Sequence, residues 1–582
     1  MISGFTIKKY SRLHASWAPP AGGSGGIGAS GHGAGRCRPE HSAAVRYVRR
    51  IRESRYQPTR SLPGRARSGK KSIDSNTYPP SGVVRTGLDS DPCRVAPTGC
   101  VFSPRQSAPP KSAAGRRSRL ILSALLTVGM ACACQRTEGT RPDIILIVLD
   151  TVRADRIGSF SPKGSAQTPN LDALATRSRS WPQAIATAPL TMPSMAAIFT
   201  GRHGDAVGVI GHSAQDRLDG DADTLASLAH DAGYATAAVV TNPWLARRPM
   251  GFLRDFDAVI TGRTAGGSGA RMSASHVTDA ALRAVDSIFA GDRSTDRPLL
   301  LWAHYMDAHM PYDTGQAETE PNRLLREFSA PGSDRQKIYF APPYTETERA
   351  ATRAAYDAAV HSIDREIGRL LEGLRDRGRA SNAIIVVVSD HGEALGEHGL
   401  HFAHDFTVYD ELIRAVFMIS ASGLPVGLDH SPVSTVDLLP TLCSLAALRC
   451  PANLGGLDLT RDRASAHRAL FAASAPRRDR YARAPWLTVD GPEGRMTAIR
   501  KGTMKLVRTP GQGGVRTEVF DLSTDPGEQM NIYDRELHAG MNQSLDAWLE
   551  RMEKLREDRP VRSARPRGNR LREELRLLGY VD

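Results

Sequence analysis

Cysteine is scarce in most of this chain. Of seven cysteines, five lie at or before Cys134, so only Cys443 and Cys450 remain beyond it. Their spacing matches no zinc-ligand pattern, which argues against a cysteine-built metal module. The two are expected either to pair as a disulfide after export or to sit as buried thiols at the end of an apolar helix. A surplus of one charge is also missing from most of the sequence. The net +14 comes from residues 1–119, where 22 Lys and Arg face 5 Asp and Glu; the remainder holds 54 basic against 57 acidic residues. A basic-patch reading of that remainder has no support, so no nucleic-acid partner is expected. The apolar run Leu120–Ala131 is twelve residues, short of the roughly 20 that cross a bilayer.

What is present divides into segments. Residues 1–118 are basic and rich in Gly, Ser, Pro and Arg, a composition that buries too little apolar surface to offset its ordering entropy and predicts disorder. Residues 119–134 combine a cationic approach, the twelve-residue apolar run and small residues before Cys132 and Cys134. That order is the pattern of a signal peptide, with a likeness to a lipoprotein cleavage site. It predicts an exported protein, periplasmic or held at the membrane by a lipid anchor or signal segment, rather than a cytoplasmic one. The pattern begins more than a hundred residues in, and no methionine lies between Met1 and Met130, so a start placed too far upstream is expected.

From residue 141, short continuous apolar runs alternate with helical patterns. "DIILIVLD" (143–150), the end of "TLASLAHDAGYATAAVVTN" (224–242), "PLLLWAHYMD" (298–307), "NAIIVVVSD" (382–390) and "AVFMIS" (415–420) read as buried strands. Residues 356–378 read as an amphipathic helix with Ile363, Ile367, Leu370 and Leu371 on one stripe. The alternation predicts an α/β domain over 141–455, with a large, mostly parallel central sheet and helices on both faces. Over 456–554, "MTAIRKGTMKLVRT" and "TEVFDLSTDPGEQMN" alternate as antiparallel strands, and a helix closes a smaller α+β subdomain before a charged tail, 555–582.

In parallel sheets the chemistry gathers at the carboxyl ends of the strands. Asp150, then His304 and Asp307, then Asp390 and His391 follow three separate strands. One Asp after a strand is usually a cap, but three such positions at one edge point to a metal or catalytic site. Near them "TAPLTMPSMAAIFTGRH" (187–203) sets Thr191 two residues before Pro193, at the start of an apolar helix. A hydroxyl there either caps the helix or acts as a nucleophile toward an anion held at the helix N-terminus.

Seven stretches carry a resemblance: "PDIILIVLDTVRADRIG", "TPNLDALA", "PSMAAIFTGR", "HYMDAHMPY", "VSDHGEALGEHG", "STVDLLPTL" and "FDLSTDPGEQMN". Together, across about 141–535, the chain resembles the sulfatases of the alkaline phosphatase superfamily. The resemblance implies an alkaline phosphatase/sulfatase-like fold in which Asp150, Asp390, His391 and Thr191 hold a divalent metal. His309 and His404 would meet the ester group, neutralising oxygens or protonating the leaving group. With Asp307 they would alternatively hold a second metal. Mn, Mg, Ca and Zn all suit the donor set. His398 and Arg153 read as structural, Arg153 through an ion pair with Asp155.

The chain departs from that family at the nucleophile. Sulfate-cleaving members convert Cys or Ser in C/S-x-P-x-R into formylglycine, whereas here Thr191-Met192-Pro193-Ser194-Met195 stands in its place. Thr151 occupies the position of a second acidic ligand. The expectation is a metal-dependent hydrolase of anionic esters, independent of formylglycine, with phosphoesters or phosphonates favoured over sulfate esters. Thr191 would form a covalent intermediate, the metal and helix N–H groups stabilising the charge that develops. The alternatives are an envelope phospho-group transferase and a silent member that binds an anionic glycan or lipid headgroup.

Overall fold

The computed structural model describes residues 141–161, 166–213, 215–262, 272–290, 297–312, 344–462, 464–475, 494–511 and 514–559. The expected basic and signal-like segments and the tail beyond 559 lie outside them, and so with them do Cys132 and Cys134. Among the described residues no helix is long and apolar enough to cross a membrane.

Eight strands form the larger sheet: β1 (Asp143–Leu149), β2 (Arg179–Ser180), β3 (Ala235–Val240), β4 (Ala258–Thr261), β5 (Leu299–Tyr305), β6 (Ala383–Ser389), β9 (Phe417–Ser420) and β10 (Gly427–Leu428), with a small hairpin of β7 (Ala394–Leu395) and β8 (His401–Ala403) between β6 and β9. The order across the sheet is β10-β2-β9-β6-β1-β5-β3-β4. The five strands from β6 to β4 run parallel. On the other side β9 turns antiparallel to both β6 and β2. The apolar run 415–420 therefore is a strand, but of opposite direction; hydrophobicity does not encode direction.

β1 is buried at all seven residues because each face meets its own helical layer. Ile145, Ile147 and Leu149 pack with α5 (Ala274–Phe289) and α6 (Glu346–Asp376), which follow α1 (Pro169–Ala175), α2 (Thr191–Thr200), α3 (Gly204–Val207) and α4 (Leu225–Asp231) along the chain. Ile144, Leu146 and Val148 pack on the opposite face with α2, α4 and, past α7 (Asp410–Ile413), α8 (Leu438–Leu445). This two-sided burial explains the continuous apolar run.

Helix α6 buries Ile363, Ile367, Leu370 and Leu371 as expected, but it begins ten residues before 356. Its start is a capping box, in which Thr345 Oγ1 accepts from the Glu348 amide at 3.2 Å and Glu348 Oε2 accepts from the Thr345 amide at 2.9 Å. Cys443 and Cys450 are joined as a disulfide at the end of α8.

The smaller antiparallel sheet runs β11 (Ala469–Ala473), β12 (Thr497–Lys501), β13 (Met504–Gly511) and β14 (Gly514–Asp521). Helix α9 (Ala539–Glu557) lays Leu545, Trp548 and Met552 on Ile499, Leu506 and Val519. The β12–β13 reversal uses Gly502 at φ 60°, a region that suits a residue without Cβ. The two sheets are clasped by Lys505, which is fully buried with Nζ 2.7 Å from Asp410 Oδ1 and 2.9 Å from Glu528 Oε1. Replacing Lys505 by Met leaves two buried carboxylates facing one another, and the expected loss is about 3–5 kcal/mol in urea unfolding. A loss below about 1 kcal/mol, as for an exposed pair, would contradict this role.

Candidate metal centre and active site

Strand register builds the site. Leu149 lies opposite Tyr305 on one side and Ser389 on the other, so the residues that follow, Asp150 and Asp390, emerge side by side at the carboxyl edge. Both are fully buried, as are His391 and Thr191. Donor atoms of Asp150, Asp390 and His391 lie within 4.8 Å of one another.

The turn after β1 is held under constraint. Thr151 adopts φ 60°, a costly conformation for a β-branched residue. It is pinned on all sides: its amide donates to Asp390 Oδ1 at 3.0 Å, its hydroxyl donates to the Asp150 carbonyl at 2.7 Å, and its carbonyl accepts from Tyr356 Oη at 2.8 Å. Thr151 thus binds a candidate ligand through its backbone instead of supplying a carboxylate. Arg153 is structural, as expected: it forks onto Asp155 at 2.9 and 2.7 Å and reaches Glu397 at 2.8 Å. Gly392 is required because a Cβ there would collide with the Glu411 carbonyl.

The carboxylates are unequally supplied with donors. Asp150 Oδ2 accepts from Asn242 Nδ2 at 2.9 Å and lies 3.0 Å from His304 Nε2. Asp390 Oδ1 accepts the amides of Thr151 and His391. Among the described residues, Asp150 Oδ1 and Asp390 Oδ2 have no hydrogen-bond partner. His391 Nδ1 faces the Gly392 carbonyl at 2.9 Å, a bond that puts the proton there and leaves Nε2 a lone pair. That nitrogen faces Asp390 Oδ2 at 3.4 Å.

Two buried acceptors turned toward each other need a cation or a proton between them. Burial, and then the Asp150 charge, push Asp390 up to about 8. Burial opposes the charge on Asp150 as well, but the His304 hydrogen bond and the nearby histidines hold it well below the usual carboxylate range. Burial, followed by the charge of His404, pushes His391 down to about 4. A neutral imidazole beside two carboxylates fits a divalent cation.

Thr191 answers the choice between cap and nucleophile in its own geometry. Leu190 occupies the N-cap position of α2 and the Thr191 side chain makes no capping bond. Its Oγ1 instead lies 3.3 Å from His391 Nε2. The helix behind it is tied to the second acid: Ser194 Oγ donates to the Asp390 carbonyl at 2.5 Å. The expected cluster of helix amides is a correction. The Met192 amide donates to His212 Nε2 at 3.0 Å, Pro193 has no N–H, and the Ser194 amide is bonded to the Leu190 carbonyl.

His309 and His404 both border the cluster. His404 is buried, with its ring 4.8 Å from that of His309 and 4.7 Å from that of His391. Burial works against its charge, but the Glu393 carboxylate, 3.2 Å from Nδ1, raises it to about 9. Asp307 does not join them in a second group: its Oδ1 accepts the Ala274 amide at 2.9 Å at the start of α5. Among the described residues the one metal-type cluster is Asp150, Asp390 and His391. His398 pairs with Glu411 at 2.9 Å and stacks on Tyr409. Sequence reasoning passed over Asn242, Glu393 and His212. Asn242 had a signal, since it too follows a parallel strand at its carboxyl end.

The sulfatase family model matches residues 142–448, more than half of the chain. The chain belongs to the sulfatase family, within the alkaline phosphatase superfamily. An ulvan-active sulfatase of Formosa agariphila is 23% identical over 71% of this chain and 81% of its own length. A choline-sulfatase of Rhizobium meliloti is 26% identical over 53% of this chain and 68% of its own. In fold, the crystal structure of a phosphonate monoester hydrolase of Agrobacterium radiobacter superposes with a TM-score of 0.54 at 20% identity, covering 72% of this chain and 96% of that one. This sulfatase-family chain therefore has the fold and the acidic cluster of an anionic-ester hydrolase.

If the cluster holds a metal, purified protein should carry a stoichiometric divalent ion that Asp150→Asn and Asp390→Asn lose. Added metal should raise the melting temperature of wild type alone; at a hundredfold excess over Kd the stabilisation is about 2.7 kcal/mol. Equal metal content in all three, by plasma mass spectrometry, would contradict the assignment.

Proposed function

We propose that this protein hydrolyses an anionic ester through Thr191 and a bound divalent metal, with phosphoesters or phosphonates favoured over sulfate esters. The observation that carries the proposal is the Thr191 hydroxyl beside His391, next to the acid pair and with no capping duty. Asp150, Asp390, His391 and Thr191 would hold the ion. When bound, it would lower the pKa of the hydroxyl and neutralise ester oxygens. Mn, Mg, Ca and Zn all suit this donor set.

The chain's own groups divide the remaining work. Thr191 Oγ forms the new bond to phosphorus or sulfur while its proton passes to solvent. The bond to the leaving oxygen breaks, and that oxygen departs with a proton from His404. The Glu393 carboxylate keeps His404 protonated near neutral pH, which suits a general acid. His309, edge-on to His404, would meet an ester oxygen. Water then releases the group from Thr191 and restores the hydroxyl.

Threonine at position 191 and Met195 in the place of the supporting arginine favour a route without formylglycine. The Cys443–Cys450 disulfide accords with an oxidising, exported setting, and the signal-like segment at 119–134 accords with a membrane anchor.

The test is turnover of aryl phosphate mono- and diesters, aryl phosphonate and aryl sulfate by metal-loaded protein. Thr191→Ala should lower kcat by about 10^3-fold or more, with Thr191→Ser retaining part of it. His404→Gln should remove more activity on esters with poor leaving groups than on those with good ones. Activity that survives Thr191→Ala would overturn the mechanism, and metal-loaded protein that turns over no ester would favour the silent or transferase reading.

A further inference from the structure

Helix α2 carries Thr191 at its first residue. Its far end, some 15 Å away at about 1.5 Å per residue, opens onto a separate cavity. That cavity, of about 480 Å³, lies between the end of α2, residues 453–455, β11 and α9. Its wall includes Arg202, Arg468 and Arg551 and, among the described residues, no carboxylate. Arg468 is spoken for by a two-pronged pair with Asp437 at 2.6 and 2.7 Å. Among the described residues, Arg202 and Arg551 form no ion pair or side-chain hydrogen bond.

Trp548 forms part of the wall at 3% exposure. The indole is fixed in place, stacked on Phe471 at 5.1 Å and met edge-on by His203 at 5.2 Å. Two guanidiniums in one concave wall with no carboxylate between them favour an anion. Burial pushes His203 down to about 4, against the Asp205 charge and with the fields of Arg495, Arg468 and Arg551, so the cationic character rests on the arginines.

We propose that this cavity is a second, non-catalytic site for a sulfate or phosphate group carried as an ester on a small organic body. Arg202 and Arg551 take the oxyanion, for which the guanidinium fork is suited. The organic body is assigned from size and lining. The volume falls in the usual range for small-molecule sites, larger than a bare oxyanion needs, and Leu454, Leu470 and Met552 supply apolar wall.

The test is titration calorimetry on the full-length protein with 2-naphthalenesulfonate, which has no ester bond to cleave, and with inorganic sulfate. A binding event for the sulfonate should weaken about tenfold or more in Arg202→Ala and in Arg551→Ala, both partly or well exposed and expected to fold normally. In labelled wild type, the indole N–H resonance that Trp548→Phe deletes should shift on titration. Sulfonate isotherms that superimpose for wild type and both arginine variants, or no heat at millimolar probe, would overturn the site. Sulfate binding as tightly as the sulfonate would overturn the ester assignment. Turnover at Thr191 is not part of this readout, so failure here leaves the proposed mechanism standing.

Discussion

Two buried carboxylates set side by side are the constraint on which the rest of this structure depends. Asp150 and Asp390 follow adjacent parallel strands in matched register, and each presents an oxygen with no hydrogen-bond donor among the described residues. Full burial of such a pair is tolerable only if a proton or a cation stands between them. A divalent ion held by Asp150, Asp390 and His391 would remove the conflict and would supply a Lewis acid at the strand edge. Stability and chemistry are thus posed as one electrostatic problem.

The surroundings are arranged to keep that problem in place. Asn242 and His304 take the other oxygen of Asp150, while two backbone amides take the other oxygen of Asp390. The strained Thr151 turn is locked by Tyr356 of α6, whose hydroxyl also accepts the Arg153 amide at 2.9 Å. Ser194 ties α2 to the Asp390 backbone, so the helix that starts with Thr191 cannot drift relative to the acids. Such fixed polar contacts limit reorganisation when charge develops in a reaction.

The central strands and the acids were legible in sequence for a plain reason. Burial on both faces produces continuous apolar runs, and a polar residue directly after such a run in a parallel sheet falls at the functional edge. The true start of α6 was not legible from periodicity, because residues 346–355 are charged and alanine-rich; its mark was the Thr345–Glu348 box. β11 reads "ALFAA", too short and alanine-rich to announce a strand. The direction of β9 and the partner of Asp307, an amide 33 residues earlier, are set by tertiary packing. The same holds for His212, whose approach takes away the Met192 amide that a helix start would otherwise offer to an anion.

The central claim is that the Thr191 oxygen becomes bonded to the group it removes. The most direct measurement is peptide mass spectrometry on metal-loaded protein quenched in acid during turnover of an aryl phosphonate, phosphate or sulfate ester. The account predicts a phosphono-, phospho- or sulfo-threonine confined to the peptide that contains Thr191 and absent from Thr191→Ala. Steady turnover with that peptide unmodified, or with the group on another residue, would contradict it.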